Sequence, residues 1–449
     1  MREGGLNAPT RHALAWRDPE FTDAGKIDAK LRRVFDICHG CRRCFNLCDS
    51  FPRLFDLIDG SDSGELDSVA SEGFAAVVDA CTLCDMCFMT KCPYVPPHEF
   101  DLDFPHLMLR YRAAELKAGK VNAIHRQLTR TDRNGRLAGM AAPLINWACK
   151  VGNALTRLIM EWIAGIHREA ALPRFCGRTF ARRAAKEAPE VNVRAPAHGR
   201  KAVLFATCFA NYNDPGIGLD ARAVLALNGV ETEVVYPGCC GMPQLESGDI
   251  EAVARSAEKT AAELGPWIEK GYDVIALVSS CALMLKFEWP LILPGNDAIE
   301  TLSGATFDIA EYMVDMAARE GLADGMKPLE GGVFVHLPCH ARAQNMGPKA
   351  AAMLRLVPGT EVHVMERCSG HGGSWGIMKD HFEIALKQGM PVARQAVKNT
   401  GSCVASECPL AGDHILQVME RLDSEAMEVP EEAFHPIQLL ARSYGLQQD

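Results

Sequence analysis

The sequence lacks three features that would place it in common classes of protein. It contains no run of eighteen apolar residues, so no segment is predicted to cross a bilayer. Residues 1–20 have no apolar stretch of the kind that a secretory signal needs, and we therefore expect a reducing, cytoplasmic compartment. Lys and Arg number 47 against 57 Asp and Glu, and this deficit of basic residues argues against nucleic acid as a partner.

Cysteine, by contrast, is abundant, with 18 residues in a chain of 449. In a reducing compartment, clustered cysteines indicate metal ligation rather than disulfides. Hydrophobic residues make up 48% of the chain and charged residues 23%, as in an ordinary globular protein. The spacing of the cysteines therefore carries most of the functional information.

The N-terminal cysteines fall into two groups of four. Their members are Cys38, Cys41, Cys44 and Cys48 in the first group, and Cys81, Cys84, Cys87 and Cys92 in the second. Each group opens with three cysteines at intervals of three residues, a spacing that wraps a short turn around a [4Fe–4S] cubane. In two-cluster ferredoxins the fourth cysteine of a group ligates the other cluster. We therefore assign one [4Fe–4S] cluster to Cys38, Cys41, Cys44 and Cys92, and a second one to Cys81, Cys84, Cys87 and Cys48.

Two positions depart from the usual ferredoxin pattern. Cys48 is followed by Asp49 rather than proline, and four residues separate Cys87 from Cys92. We expect a loop to absorb both changes. Cys-x2-Cys pairs also bind zinc, although zinc usually takes pairs that a longer loop separates. A non-redox zinc-binding scaffold is therefore the alternative from another functional class.

The C-terminal half contains an internal repeat of short strands, helices and cysteines. Strands are predicted over residues 201–207, 231–236 and 274–278, and again over 333–336, 361–365 and near 403. The cysteines follow these strands, at Cys208, Cys239, Cys240 and Cys281 in the first copy and at Cys339, Cys368 and Cys408 in the second. Strands that alternate with helices predict βαβ units and a parallel sheet, whose strand ends meet at one edge.

That edge would gather the cysteines of each repeat into a further metal site. The adjacent pair Cys239–Cys240 suits a cluster with several irons better than a single metal ion, because neighbouring side chains diverge. The second copy is weaker, since Ser369 stands where the first copy has Cys240. The alternative is that these cysteines are buried structural residues. The glycine-rich stretch over residues 370–376 is interpreted as backbone that approaches a cluster rather than as a nucleotide-binding loop.

The predicted organisation combines α+β and α/β parts. A poorly ordered segment over residues 1–30 precedes a ferredoxin-type domain with two [4Fe–4S] clusters over 31–111. A helical connector over 112–195 leads to two Rossmann-like βαβ domains over 196–327 and 328–449.

These motifs resemble a family of iron–sulfur subunits in which a double ferredoxin domain precedes two cysteine-rich CCG domains. Cys239-Cys240-Gly241 is similar to the CCG signature, and Cys368-Ser369-Gly370 to a degenerate form of it. The C subunit of anaerobic glycerol-3-phosphate dehydrogenase, the iron–sulfur subunit of glycolate oxidase and the cysteine-rich subunits of heterodisulfide reductase are members. The resemblance implies one or two further clusters of noncubane type in the CCG domains, with Cys239 and Cys240 as the candidate catalytic residues.

The resemblance also implies a function in electron transfer. We expect the chain to relay electrons between a redox partner, either a flavoprotein dehydrogenase or a rubrerythrin-like protein, and a quinone or another acceptor. A heterodisulfide or persulfide reductase with catalysis at a CCG cluster is the alternative. Neither repeat has the Cys-x2-Cys of the heterodisulfide reductases, because Cys281 and Cys408 stand alone.

One connector segment, residues 143–167, is strongly apolar and contains Trp147 and Trp162. We expect it to be buried against the CCG domains or a partner protein, because the segment itself has few basic residues. The alternative is a peripheral contact with the inner face of a membrane.

Overall fold

The computed structural model describes residues 9–399, 403–422 and 429–446. Its N-terminal part is helical and contains α1 (Ala24–Cys41), α2 (Ser50–Asp59), α3 (Phe74–Asp79) and α4 (Phe104–Lys117). The connector contributes α5 (Ala123–Leu128), α6 (Thr131–Met140), α7 (Ala142–Cys149), α8 (Ala154–Ala164) and α9 (Phe180–Ala184). A helical cysteine-rich part and a helical connector were both predicted, whereas a ferredoxin-type fold of residues 31–111 stays a prediction.

The first repeat begins at β1 and ends with α17. Its elements are β1 (Lys201–Phe205), α10 (Cys208–Tyr212), α11 (Pro215–Leu227), β2 (Glu231–Val235), α12 (Met242–Glu246), α13 (Ile250–Glu269), β3 (Asp273–Ala276), α14 (Ser279–Leu283), α15 (Trp289–Ile292), α16 (Asp297–Ala305), β4 (Thr306–Asp308) and α17 (Ile309–Arg319). The strands form one parallel sheet in the order β2-β1-β3-β4. The sequence did not reveal β4, because three residues are too few to show a periodicity.

The second repeat has the same arrangement with one strand fewer. Its elements are β5 (Val333–His336), α18 (Cys339–Ala343), α19 (Lys349–Leu354), β6 (Val362–Met365), α20 (Phe382–Lys398), β7 (Cys403–Ser406), α21 (Pro409–Met419) and α22 (Pro436–Tyr444). The parallel sheet has the order β6-β5-β7. The parallel βαβ architecture predicted for both repeats is confirmed.

Alternate residues of the central strands enter different hydrophobic cores, as side chains on a strand must. Val203 and Phe205 of β1 face a core that the first repeat shares with α1 to α4. Leu204 of the same strand faces a second core, to which the second repeat contributes Val335. Phe334, on the other face of β5, lies in a third core with the end of the connector. The layers therefore run from the N-terminal helices through both sheets to the connector.

The N-terminal arm packs onto this structure. Residues 1–8 of the predicted poorly ordered segment lie outside the described residues, but residues 9–30 contradict the prediction. The Arg11 side chain, which is 11% exposed, forms ion pairs with Asp85, Asp103 and Glu288. The arm looked disordered because it is polar, and the three carboxylates that neutralise Arg11 come from remote parts of the sequence.

The apolar connector segment also differs from its prediction. Trp147 and Trp162 are 59% and 85% exposed, so the outer face of residues 143–167 is not buried against the repeats. The inner face packs instead through polar groups: the buried Arg157 side chain donates hydrogen bonds to the carbonyl oxygens of His167 and Ala170 at 2.8 and 2.7 Å. Within the described ranges, no helix combines the length and apolar character that crossing a bilayer requires.

Candidate metal centres

The eight N-terminal cysteines lie in two neighbouring groups. One group contains Cys38, Cys41, Cys44 and Cys92, and the other contains Cys48, Cys81, Cys84 and Cys87. Within each group the thiols are close enough to influence one another's pKa. Cys44 of the other group also raises the pKa of Cys87. The fourth cysteine of each sequence motif thus lies with the opposite group, as predicted. Ligation of a cluster by each group stays a prediction.

Unusual backbone geometry shapes the cysteine turns. Arg42, Leu83 and Asp85 have positive φ angles of 49°, 49° and 63°, which residues other than glycine rarely adopt. Each of them is adjacent to a cysteine of the N-terminal groups. The extra residue before Cys92 is absorbed not by a loop, as we expected, but by a π-helical turn over Cys87–Lys91. Strained residues and single π-turns concentrate at functional sites.

The chemistry of these thiols suits iron–sulfur clusters. Burial, followed by repulsion from Cys92, raises the pKa of Cys38. Burial also raises the pKa of Cys44 and of Cys81 to about 12. At neutral pH such thiols keep their protons unless a cation replaces them, and iron does so because it binds thiolates. Each group therefore presents four soft sulfur donors of the type that an Fe–S cluster requires.

The first repeat gathers its four cysteines at the carboxyl end of its sheet. Cys208 follows β1, Cys239 and Cys240 follow β2, and Cys281 lies in α14 after β3. The Sγ atoms of Cys208 and Cys239 are 3.8 Å apart. Cys240 lies beside Cys239 and Cys281, which both raise its pKa. The contact with Cys208 lowers the pKa of Cys239.

Residues from outside the β1–β3 loops hold this site in place. Asp132 of α6 accepts a hydrogen bond from the backbone N–H of Cys239 at 2.9 Å and another from the Tyr236 hydroxyl. The indole N–H of the buried Trp289 donates to the carbonyl oxygen of Cys240 at 3.1 Å. Sequence reasoning missed Asp132, because nothing in the sequence links the connector to a loop more than a hundred residues away.

The second repeat places two of its three predicted cysteines beside the N-terminal groups. Cys368 and Cys84 both raise the pKa of Cys339, so the three thiols lie close together. Burial raises the pKa of Cys408 to about 11, and its share in a metal site of the second repeat stays a prediction. The repeat therefore turns two of its cysteines toward the N-terminal cysteines.

A glycine-rich loop closes this junction. The backbone N–H of Gly370 donates to the Cys368 sulfur at 3.3 Å, the kind of amide contact expected for this stretch. At Gly372 a Cβ would lie 2.8 Å from Thr82, the residue after Cys81. Arg112 links the N-terminal part to the first repeat, a contact that the sequence did not indicate. Its guanidinium donates hydrogen bonds to the carbonyl oxygens of Cys81 and, at 2.9 Å, of Glu246.

Three histidines line the same junction. Burial lowers the pKa values of His340 and His414, and burial with the neighbouring His414 lowers that of His371 to about 3. The imidazoles are therefore neutral at physiological pH. They add no charge to the region where the thiols of Cys84, Cys339 and Cys368 meet.

The remaining cysteines lie elsewhere. The Cys176 thiol donates to the carbonyl oxygen of Asn213 at 3.2 Å, and Cys403 lies beside Arg442. Across the ranges that the structure covers, no three Cys, His, Asp or Glu side chains are arranged to hold a single metal ion.

Comparison with known proteins also finds two copies of one domain in the C-terminal half of the chain. The CCG cysteine-rich domain family matches residues 202–286 and 333–411. The C subunit of anaerobic glycerol-3-phosphate dehydrogenase from Escherichia coli (strain K12) is 26% identical over 320 residues, which cover 70% of this chain and 76% of the relative. Lactate utilization protein A of Bacillus pumilus (strain SAFR-032) is 25% identical over 221 residues, or 46% of this chain and 87% of the relative. The chain therefore carries two copies of the CCG cysteine-rich domain and is homologous to both of these proteins.

Proposed function

We propose that the protein is an iron–sulfur electron-transfer subunit. Two [4Fe–4S] clusters are assigned to the N-terminal groups, and a further cluster of noncubane type to the cysteines of the first repeat. Homology to the C subunit of an anaerobic glycerol-3-phosphate dehydrogenase supports this general role. When bound, such clusters take up and release single electrons.

The contact between Cys84, Cys339 and Cys368 carries the proposal. It joins the N-terminal groups to the second repeat, while Cys44 and Cys87 lie close enough to join the two N-terminal groups to each other. An electron carrier needs adjacent thiol groups, because electrons pass between neighbouring centres.

The surrounding residues set the conditions for transfer. Burial of the thiols excludes water, and the amides of Gly241 and Gly370 donate to the sulfurs of Cys239 and Cys368 at 3.4 and 3.3 Å. Hydrogen bonds to sulfur and solvent exclusion are the means by which a protein tunes the reduction potential of a cluster.

The proposed donor and acceptor follow from the family resemblance of the sequence. A flavoprotein dehydrogenase or a rubrerythrin-like protein is the partner on one side, and a quinone or a similar acceptor is on the other. The protein is assigned to the cytoplasmic compartment. Mixing the anaerobic protein with a reduced flavoprotein dehydrogenase is expected to bleach its visible absorption, and a soluble quinone should restore it. Absence of both changes would contradict the relay.

Cys84→Ser tests the assignment of the N-terminal groups. We expect the loss of about four irons per chain, one cubane, while the first repeat keeps its iron. Cys176→Ser is the matched control, because that thiol donates to a backbone carbonyl and lies apart from the cysteine groups. Iron and acid-labile sulfide are measured after anaerobic purification. Unchanged iron in Cys84→Ser would contradict the assignment.

The reductase alternative has its own observation, the lowered pKa of Cys239 beside Cys208. A reductase with chemistry at this site would trap a paramagnetic, thiol-bound cluster when it is inhibited by a thiol. Electron paramagnetic resonance of such a sample distinguishes it from a relay. A colourless protein with zinc and no sulfide would instead identify the scaffold.

A further inference from the structure

Most of the large hydrophobic side chains that are exposed among the described residues lie on the connector. Fourteen large hydrophobic side chains are exposed among the described residues, and ten of them fall between residues 137 and 163. We call these ten the hairpin face; they are Leu137, Met140, Leu144, Trp147, Val151, Leu155, Leu158, Ile159, Trp162 and Ile163. Trp162, Met140 and Leu155 are 85%, 75% and 70% exposed. Contiguous apolar surface of this kind marks an interaction site.

The helices α7 and α8 form a helical hairpin that carries most of this face. Its apolar side chains face solvent, whereas several of its polar side chains face the protein. Residues 155, 158, 159, 162 and 163 recur at helical spacing and form one apolar stripe on α8, which points to solvent. Two polar residues of the hairpin, Asn146 and Thr156, point inward. Asn146 exchanges hydrogen bonds with the backbone of Phe175 at 2.8 and 2.9 Å, and the Thr156 hydroxyl donates to the carbonyl oxygen of Ala148 at 2.7 Å.

The protein body holds the hairpin firmly. Its end forms a bridge between Ile166 and Met378 of the second repeat, with backbone hydrogen bonds from His167 to Ile377 and from Lys379 to Gly165, each at 2.8 Å. Arg157 is 1% exposed and binds the backbone that follows α8. The apolar stripe is therefore presented on a fixed support rather than on a loose tail.

Basic residues predominate in the part of the chain that carries the hairpin face. Residues 117–183 contain 13 Lys and Arg but only three Asp and Glu, whereas the whole chain contains 47 and 57. On α6 the exposed Arg133 and Arg136 share one helix face with Leu137 and Met140, because these positions recur at intervals of three and four. Lys150 is exposed in the turn between α7 and α8. Residues 143–167 alone contain few basic residues, because Arg133, Arg136 and most of the others lie outside that segment.

We propose that the hairpin face docks on an anionic lipid surface. Exposed tryptophans and leucines with flanking Lys and Arg are the composition of helices that lie in a membrane interface. The helices α7 and α8 have 8 and 11 residues, short enough to lie flat at the headgroup level. A protein partner of ordinary composition would match the apolar stripe but would not require a basic border on a chain whose net charge is −10. If the proposed electron relay holds, this surface brings the protein to membrane-dissolved quinones.

Vesicle binding tests the proposal without any redox chemistry. The purified full chain is sedimented with quinone-free vesicles of phosphatidylcholine, alone or mixed with phosphatidylglycerol. We expect binding to the mixed vesicles, weaker binding to the neutral ones, and a decline as salt increases. The double variant Leu155→Glu, Trp162→Glu is expected to lower the partition coefficient at least about tenfold.

A second double variant controls for the added charge. Val193→Glu, Leu356→Glu places two carboxylates at exposed apolar positions outside the hairpin, 66% and 36% exposed, and is expected to bind like the parent protein. Circular dichroism checks that all variants are folded. Equal binding by both variants, or no binding of the parent to anionic vesicles, would overturn the proposal. So would self-association that the hairpin variant abolishes without any vesicle binding, because a second copy of the chain would then cover the face.

Discussion

The two CCG repeats share a parallel sheet and the positions of their loops, but they use their cysteines differently. The first repeat brings Cys208, Cys239, Cys240 and Cys281 together at its own strand ends. The second has Ser369 in place of the adjacent cysteine and turns Cys339 and Cys368 toward Cys84. One fold therefore gathers four cysteines in one copy and forms a junction in the other, because the loops rather than the sheet determine the site.

The residues that contact the cysteine loops also differ between the two repeats. Asp132 and Trp289, both from outside the strand-end loops, brace the loop of the first repeat. The second repeat has neutral histidines and the glycine-rich loop, which packs on Thr82 of the N-terminal part. These contacts fit the proposal that the first repeat holds a cluster of its own and that the second contacts a neighbouring one.

The largest expected effect comes from making the first repeat resemble the second. Cys240→Ser removes one of the four gathered cysteines, and we expect the first repeat to lose its iron while the N-terminal groups keep theirs. Iron and sulfide per chain and electron paramagnetic resonance measure the loss. The converse change, Ser369→Cys, should add no iron, because Cys339 and Cys368 lie beside Cys84 of the N-terminal groups. A gain of iron in Ser369→Cys would contradict the claim that only the first repeat binds a cluster of its own.

A smaller effect is expected at the glycine that follows each cysteine loop. Gly241 and Gly370 have positive φ angles of 91° and 84°. A Cβ at Gly370 would lie 2.1 Å from the Ala385 carbonyl oxygen, whereas one at Gly241 would meet Val253 at 3.2 Å. Gly370→Ala should therefore cost about 3 kcal/mol of stability and Gly241→Ala about 1 kcal/mol. Urea midpoints measure both, and equal shifts would show that the second loop is not the more tightly packed one.

The third difference is sensitivity to acid. Burial lowers the pKa of His336 to about 4, and its imidazole contacts Ser406 and the Arg367 carbonyl oxygen at 3.1 and 3.0 Å. The corresponding residue of the first repeat is Phe205, which does not titrate. Because the folded pKa lies below the unfolded value, His336 stabilises the fold at neutral pH, and this stability is lost as pH falls from about 6.5 through about 4.

His336→Gln should flatten that dependence. Between neutral pH and about pH 4.5 the parent protein is expected to lose about 2 kcal/mol more of its free energy of unfolding than the variant. Urea unfolding across this pH range makes the measurement. An identical pH dependence of the two proteins would mean that His336 is not buried in its neutral form.

Much of this organisation was predictable from local patterns. The cysteine intervals indicated the exchange of Cys48 and Cys92, and the alternation of strands with helices indicated both parallel sheets. What the sequence could not show was contact between distant segments. Arg11 among three carboxylates, Asp132 at the first repeat and the pairing of Cys84 with Cys339 all join remote positions. The exposure of Trp162 was missed for a related reason, because an apolar stripe looks the same whether it faces a core or solvent.

The central claim is that the N-terminal thiols bind two [4Fe–4S] clusters. The most direct test is metal and acid-labile sulfide analysis of the anaerobically purified full chain, with electron paramagnetic resonance after reduction. The account predicts a brown protein with at least about eight irons and eight sulfides per chain and a reducible paramagnetic signal. A colourless protein that contains zinc and no sulfide would contradict it.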